Sequence, residues 1–298
     1  MTDGPQYIIV HAKVTPTSDE TNAATSTYTL LDTVVPVLTA NVSPIPSGSW
    51  TNVAAKLTAS CDAGTGSTCT VYYKIPSQNS GNDQTYSAEV TFPNNNETLT
   101  VKAMDAAGNA SAEQTFALQV DTTPPAFSSH SPSTLTNDNT PTISFSLTDA
   151  LSGINASSLI VKVAGTSVSM TSSGEVFSYT PSSALSDGNI TVVADVNDNA
   201  GNAVTPLSWS FTLDSVKPAI PSGLTSTSIG SANVDLDWGP VSDATRYHVL
   251  RSLNSDFSSS SEIATPTSSD FSNTGLSACT TYYYRVTSED AAGNVSDP

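Results

Sequence analysis

Aspartates at recurring positions are the residues of this chain best suited to chemistry. The motif Asp-x-Ala-Gly-Asn occurs at Asp105–Asn109, Asp198–Asn202 and Asp290–Asn294. A second pattern, Asp-x-x-x-Pro, occurs at Asp32–Pro36, Asp121–Pro125 and Asp214–Pro218. Asp62, Asp149 and Asp243 add one acid each in loops that follow early strands. Carboxylates are hard oxygen donors, the kind Ca²⁺ takes. Three of them within a few ångströms repel, and a divalent cation relieves the repulsion. None of these sets has the dense ladder of an EF-hand loop. The same residues also have turn chemistry: Gly supplies a positive φ in a tight hairpin, and Asp or Asn side chains satisfy turn amides.

Cys61 and Cys69 flank a Gly-rich loop at the ends of adjacent strands. An oxidised pair there is expected to contribute roughly 2–3 kcal/mol, with two free thiols as the alternative. Cys279 is left over and is expected to be a half-buried thiol. Zinc is not expected, because no patterned His or Cys accompanies the pair. His11, His130 and His248 fall in no metal motif, and no Gly-x-Ser-x-Gly elbow occurs. Asp235 and Asp237 invite a paired-carboxylate reading, but they alternate with Val234, Leu236 and Trp238 and so face solvent. No catalytic residue is assigned.

The elements that must position these residues follow from a period. The Asp-x-Ala-Gly-Asn motif recurs after 93 and 92 residues and the Asp-x-x-x-Pro pattern after 89 and 93. A fixed period signals repeated units. Domains are placed at 34–121, 122–214 and 215–298, after a terminal hairpin, 1–33, of an incomplete upstream domain. Within them, short apolar/polar alternations read as strands: Ala55, Leu57 and Ala59; Leu99, Val101 and Ala103; Ile143, Phe145 and Leu147; Leu207, Trp209, Phe211 and Leu213. About seven such strands in some 90 residues indicate an all-β antiparallel sandwich. The last domain stops before its expected final strand. Two readings of the ragged ends stay open: a boundary, or a strand exchanged with a neighbouring chain to build a fibre.

The formal charge is −18, from 27 acidic and 9 basic residues. Phosphate binding needs clustered Lys and Arg, so nucleic acid is not an expected partner. No run of eighteen apolar residues occurs, so no membrane-spanning helix is expected.

Residues 34–214 resemble two bacterial extracellular immunoglobulin-like repeats. The resemblance rests on Ser47–Asn52 (SGSWTN), the run Asp149–Ile154, the repeated Asp-x-Ala-Gly-Asn turn and the Asp-Thr-Thr-Pro-Pro junction. Residues 219–298 resemble a fibronectin type III domain, through Trp238, Tyr247 and the Leu276…Tyr282 corner with Tyr284. The resemblance implies tandem sandwiches in an elongated array and an extracellular or cell-surface location.

In such a sandwich the N-terminal entry, the loop after the second strand and the last hairpin share one end. Three acids are therefore expected to meet at each junction: Asp32, Asp62 and Asp105; Asp121, Asp149 and Asp198; Asp214, Asp243 and Asp290. Ca²⁺ is the expected occupant. The expected function is non-enzymatic: a stalk, adhesin or fibre of a bacterial surface or secreted protein. Its expected partners are a protein or glycan on another surface, or copies of itself. The alternative is an accessory spacer or carbohydrate-binding region of a secreted polysaccharide-degrading enzyme.

Overall fold

The computed structural model describes residues 32–44, 49–64 and 67–298. The hairpin expected at 1–33 lies outside them except for Asp32 and Thr33. Among the described residues twenty-two strands follow one another, almost without helix. The first seven are β1 (Val37–Ser43), β2 (Ala55–Asp62), β3 (Cys69–Lys74), β4 (Gln84–Thr85), β5 (Val90–Phe92), β6 (Thr98–Asp105) and β7 (Gln114–Ala117). They form two antiparallel sheets, β1-β2-β5 and β4-β3-β6-β7.

The next nine are β8 (Ala126–Ser131), β9 (Leu135–Thr136), β10 (Ile143–Thr148), β11 (Ile160–Val163), β12 (Thr166–Val168), β13 (Thr171–Ser173), β14 (Val176–Tyr179), β15 (Gly188–Asp195) and β16 (Leu207–Leu213). Their sheets are β13-β14-β10-β8 and β12-β11-β15-β16-β9. The last six are β17 (Thr225–Ile229), β18 (Asn233–Asp237), β19 (Arg246–Ser252), β20 (Ser260–Ala264), β21 (Asp270–Thr274) and β22 (Tyr283–Glu289). Their sheets are β17-β18-β21 and β20-β19-β22. The chain divides into two compact units. One holds β1–β7 together with the loops 149–154 and 197–203; the other holds the remaining residues from Ala126 onward.

Period-two alternation sets each core. Along β6, Leu99, Val101 and Ala103 are fully buried between more exposed neighbours, and Leu99 and Val101 pack with Leu57, Ile75, Phe92 and Val120. Removing a side chain of this size from water contributes about 1.5–3 kcal/mol. In the next sandwich Phe145 stacks at 5.8 Å on Phe177, its cross-strand partner in one sheet, and meets Trp209 of the other sheet edge-on at 6.2 Å. Trp238 meets Tyr247 edge-on at 5.3 Å beside Leu236, Val249 and Val286. Tyr282 accepts the N–H of Ser277 at 3.1 Å, a bond across the Leu276…Tyr282 corner.

Cys61 and Cys69 are joined as a disulfide. Cys279 departs from the expectation of a half-buried thiol: it is exposed, on a tight turn whose backbone is left-handed at φ 56. Asp237 is exposed, while Asp235 accepts a hydrogen bond from the Ser272 hydroxyl on the neighbouring strand. Among the described residues no helix is long and apolar enough to cross a membrane.

Candidate metal centre

The three Asp-x-Ala-Gly-Asn segments fold identically. In each, the Asn main-chain N–H donates to an Asp carboxylate oxygen: Asn109 to Asp105 at 2.8 Å, Asn202 to Asp198 at 2.8 Å, Asn294 to Asp290 at 2.9 Å. The Asn side-chain amide donates to the other oxygen at 2.9, 2.6 and 2.8 Å. The glycine sits at φ 93, 92 and 88, where a Cβ would be strained. The turn needs this glycine, and it needs an acid with both oxygens turned inward. All three acids are buried: Asp105, Asp198 and Asp290.

The Asp-x-x-x-Pro segments are equally regular. Each Asp carboxylate accepts the N–H two residues on: Val34 to Asp32, Thr123 to Asp121, Val216 to Asp214. That closes a turn before the prolines, which donate no N–H of their own. The two signals then meet. Asn109 Nδ2 donates to Asp32 O at 3.0 Å, Asn202 Nδ2 to Asp121 O at 2.7 Å and Asn294 Nδ2 to Asp214 O at 2.8 Å. The N–H groups of Asp121 and Asp214 are held in turn by the carbonyls of Thr51 and Thr136. The sequence reading saw the Asn only as a turn residue and missed its second bond.

Of the three expected acid sets, only Asp121, Asp149 and Asp198 come together among the described residues, with ligand oxygens all within 4.8 Å of one another. Asp62 is exposed and turns to the N–H of Gly64, in the loop that the disulfide closes. Asp243 is exposed. The place beside the third turn is taken by Thr245, whose hydroxyl donates to the carbonyls of Glu289 and Asp290.

The middle set is assembled by the loop 149–154. Asp149 accepts the N–H groups of Leu151 at 3.2 Å and Gly153 at 2.6 Å, which curl the loop around its carboxylate. Ser152 then offers its N–H to Asp121 Oδ2 at 3.0 Å. Asn199, the variable residue of the second Asp-x-Ala-Gly-Asn motif, donates through Nδ2 to the carbonyls of Ser152 and Gly153. The other two motifs carry Ala at that place, Ala106 and Ala291. Only the middle turn can grip the loop in this way, and this variation was the overlooked signal.

The electrostatics of the trio are uneven. Burial, then the neighbouring charges of Asp121 and Asp198, hold the Asp149 carboxyl above its ordinary value, against the N–H groups of Gly153 and Leu151. Burial also works against the charge on Asp121, but the N–H groups of Thr123 and Ser152 outweigh it and hold that carboxyl below its ordinary value. Beside them, the Ser152 hydroxyl is buried, makes no hydrogen bond of good geometry among the described residues, and lies close enough to Asp121 to help hold that carboxyl down. It belongs to the loop whose N–H already binds Asp121, so the trio has a fourth oxygen at hand.

Residues 128–215 match the family model of the bacterial Ig-like domain. Exoglucanase B of Cellulomonas fimi is 32% identical over 216 residues, which cover 66% of this chain and 19% of that enzyme. Chitinase Chi52 of Paenibacillus xylanexedens is 35% identical over 107 residues, 32% of this chain and 19% of that enzyme. A crystal structure of domains from titin superposes with a TM-score of 0.53 at 14% identity, covering 89% of this chain and 96% of that one. The chain spans at most about a fifth of the length of the curated relatives it matches. It is a series of immunoglobulin-like and fibronectin type III β-sandwiches.

Proposed function

We propose that this chain is a non-catalytic, extracellular structural segment: the accessory spacer of a secreted polymer-degrading enzyme. The observation that carries the reading is the run of relatives. Two exoglucanases, a chitinase, an alpha-amylase and a poly(3-hydroxybutyrate) depolymerase each match part of this chain over a minor part of their own length. Those enzymes act on different polymers, so what they share is not the chemistry of one substrate. Sandwiches with acidic, Ser/Thr-rich surfaces suit the task of holding other domains apart. The surface stalk or adhesin, put first by the sequence, is the competing outcome. The test is the reading frame that encodes the chain, followed by assay of the purified chain. A hydrolase domain in frame, with no release of product from cellulose, chitin or starch by the chain alone, supports the reading. A cell-wall anchor without a hydrolase, or hydrolysis by the chain itself, overturns it.

We further propose that Asp121, Asp149 and Asp198 take a divalent cation, Ca²⁺ by the oxygen-only donor set. The close approach of the three carboxylates, with the buried Ser152 hydroxyl beside Asp121, supports this. Mg²⁺ demands stricter octahedral geometry and sheds its waters reluctantly, which suits crowded protein oxygens less well. Bound there, the ion would join three stretches of chain far apart in sequence. Titration calorimetry after chelation tests it, and an absence of both heat and thermal stabilisation would end it.

A further inference from the structure

His248 lies on β19, the middle strand of the sheet β20-β19-β22. Each flanking strand brings one carboxylate to it. Glu262 Oε2, from β20, is 2.7 Å from Nδ1, and Glu289 Oε2, from β22, is 2.7 Å from Nε2. A neutral imidazole has one N–H and one lone pair. It can donate to one of these carboxylates, and it then turns its lone pair on the other. Both contacts are attractive only when both ring nitrogens carry protons.

Two other charged side chains belong to these strands on the same face. Arg246 Nε is 3.4 Å from Glu289 Oε2. Arg285, paired with Leu250 in the ladder, holds its guanidinium 4.4 Å over the Phe257 ring. Glu289 therefore keeps a cationic partner when the imidazole is neutral. Glu262 has no other charged partner among the described residues. Exposure points the same way: the Glu289 side chain is 16% exposed and that of Glu262 50%. When a proton leaves, the Glu262 contact is the one to break.

Glu262 sits on an edge strand. β20 pairs only with β19, and the ladder slips between Val249 and Leu250, directly beside His248. We propose that His248 is a proton-dependent clasp: protonated, it ties β20 to the sheet through Glu262; neutral, it releases the strand while the bond to Glu289 persists. Imidazole is the side chain whose charge changes in the neutral range. The clasp thus makes the hold on one edge strand of the last sheets depend on the charge of the imidazole.

Amide hydrogen exchange of the whole chain on either side of neutrality tests this, with rates expressed as protection over the unstructured chain. The amides of Ser260–Ala264 should be about threefold better protected on the acid side, the factor an exposed ion pair supplies, while β21 stays constant. His248→Gln should hold β20 at the lower protection at both pH values. Glu262→Gln, whose amide can pair with either ring form, should also remove the pH dependence. Equal protection of β20 at both pH values in the unaltered chain would overturn the clasp, and so would a pH dependence that survives in Glu262→Gln.

Discussion

The side-chain amide of Asn202 donates to the main-chain oxygen of Asp121 across 2.7 Å, joining residues 81 apart in the chain. The same nitrogen also donates to Asp198 Oδ2 at 2.6 Å. One Asn thus ties the hairpin turn of one repeat to the segment that leads into it. Asn109 and Asn294 repeat the bond with Asp32 and Asp214. The two periodic patterns of the sequence share a period because they are two halves of one contact.

Replacing that Asn should be costly out of proportion to its surface position. Asn202→Ala removes both donations and leaves the buried Asp198 carboxylate short of a partner. An abandoned buried acceptor costs about 1–3 kcal/mol. Urea unfolding should show a loss in that range. Asn202→Asp should lose more, because it sets a second carboxylate against Asp198. The same ranking should hold at Asn109 and Asn294.

Asp149 should have opposite effects with and without cation. Asp149→Asn relieves repulsion from Asp121 and Asp198, yet its remaining oxygen can still accept from Leu151 and Gly153. In chelator the variant should be more stable than the parent, by up to about 1 kcal/mol. In Ca²⁺ the order should reverse, because the variant lacks a charged ligand. Melting curves under both conditions check the crossing. Curves that keep the same order would remove the case for a cation.

The pH dependence follows from the same carboxyls. Asp149 is held above the ordinary 3.8. Its contribution is fully present below 3.8 and is lost as pH rises through its folded value. Asp121 and Asp105 are held below 3.8, the latter chiefly by the Asn109 amide. Their contributions are present above 3.8 and are lost as pH falls through their folded values. Cation-free melting temperature should therefore be level from neutrality down to the folded value of Asp149, rise as pH falls from that value to 3.8, then drop below 3.8. Saturating Ca²⁺ should abolish the rise, and so should Asp149→Asn. Circular dichroism melts in chelator measure both limbs.

The strands were legible because alternation maps directly onto burial: Leu99, Val101 and Ala103 in β6, or Trp209, Phe211 and Leu213 in β16, are inward as their spacing requires. The middle acid set was legible for a different reason, since sandwich topology places the ends of particular loops together. The same argument gave two further sets that do not form, because topology fixes where a loop starts and not where its side chains turn. Asp62 satisfies its own loop at Gly64, and Thr245 occupies the place expected for Asp243. Ser152 and Asn199 escaped notice since Ser and Asn abound in this chain and carry no spacing of their own. The contact of His248 with two acids depends on strand register, which no local pattern reveals.

One place in the fold is closed in three ways, and this yields the last prediction. The residue paired beside the turn is Cys69 against Asp105 in the first sandwich and Ile154 against Asp198 in the middle one. In the last it is Thr245, bonded to Glu289 and Asp290. At the first a disulfide to Cys61 holds the loop; at the second, Asp149 and Asn199 hold it; at the third, a hydroxyl does. Polar closure at the middle and last sites is made of bonds that reductant cannot touch. Reduction, or Cys61→Ser with Cys69→Ser, should therefore destabilise only the first sandwich, by about 2–3 kcal/mol from the loop that the bridge closes. Hydrogen exchange resolved by strand should show β2, β3 and β6 losing protection while β10, β15 and β19 keep theirs. A uniform loss across all three regions would mean that the sandwiches unfold as one cooperative body, and that the disulfide serves the whole chain.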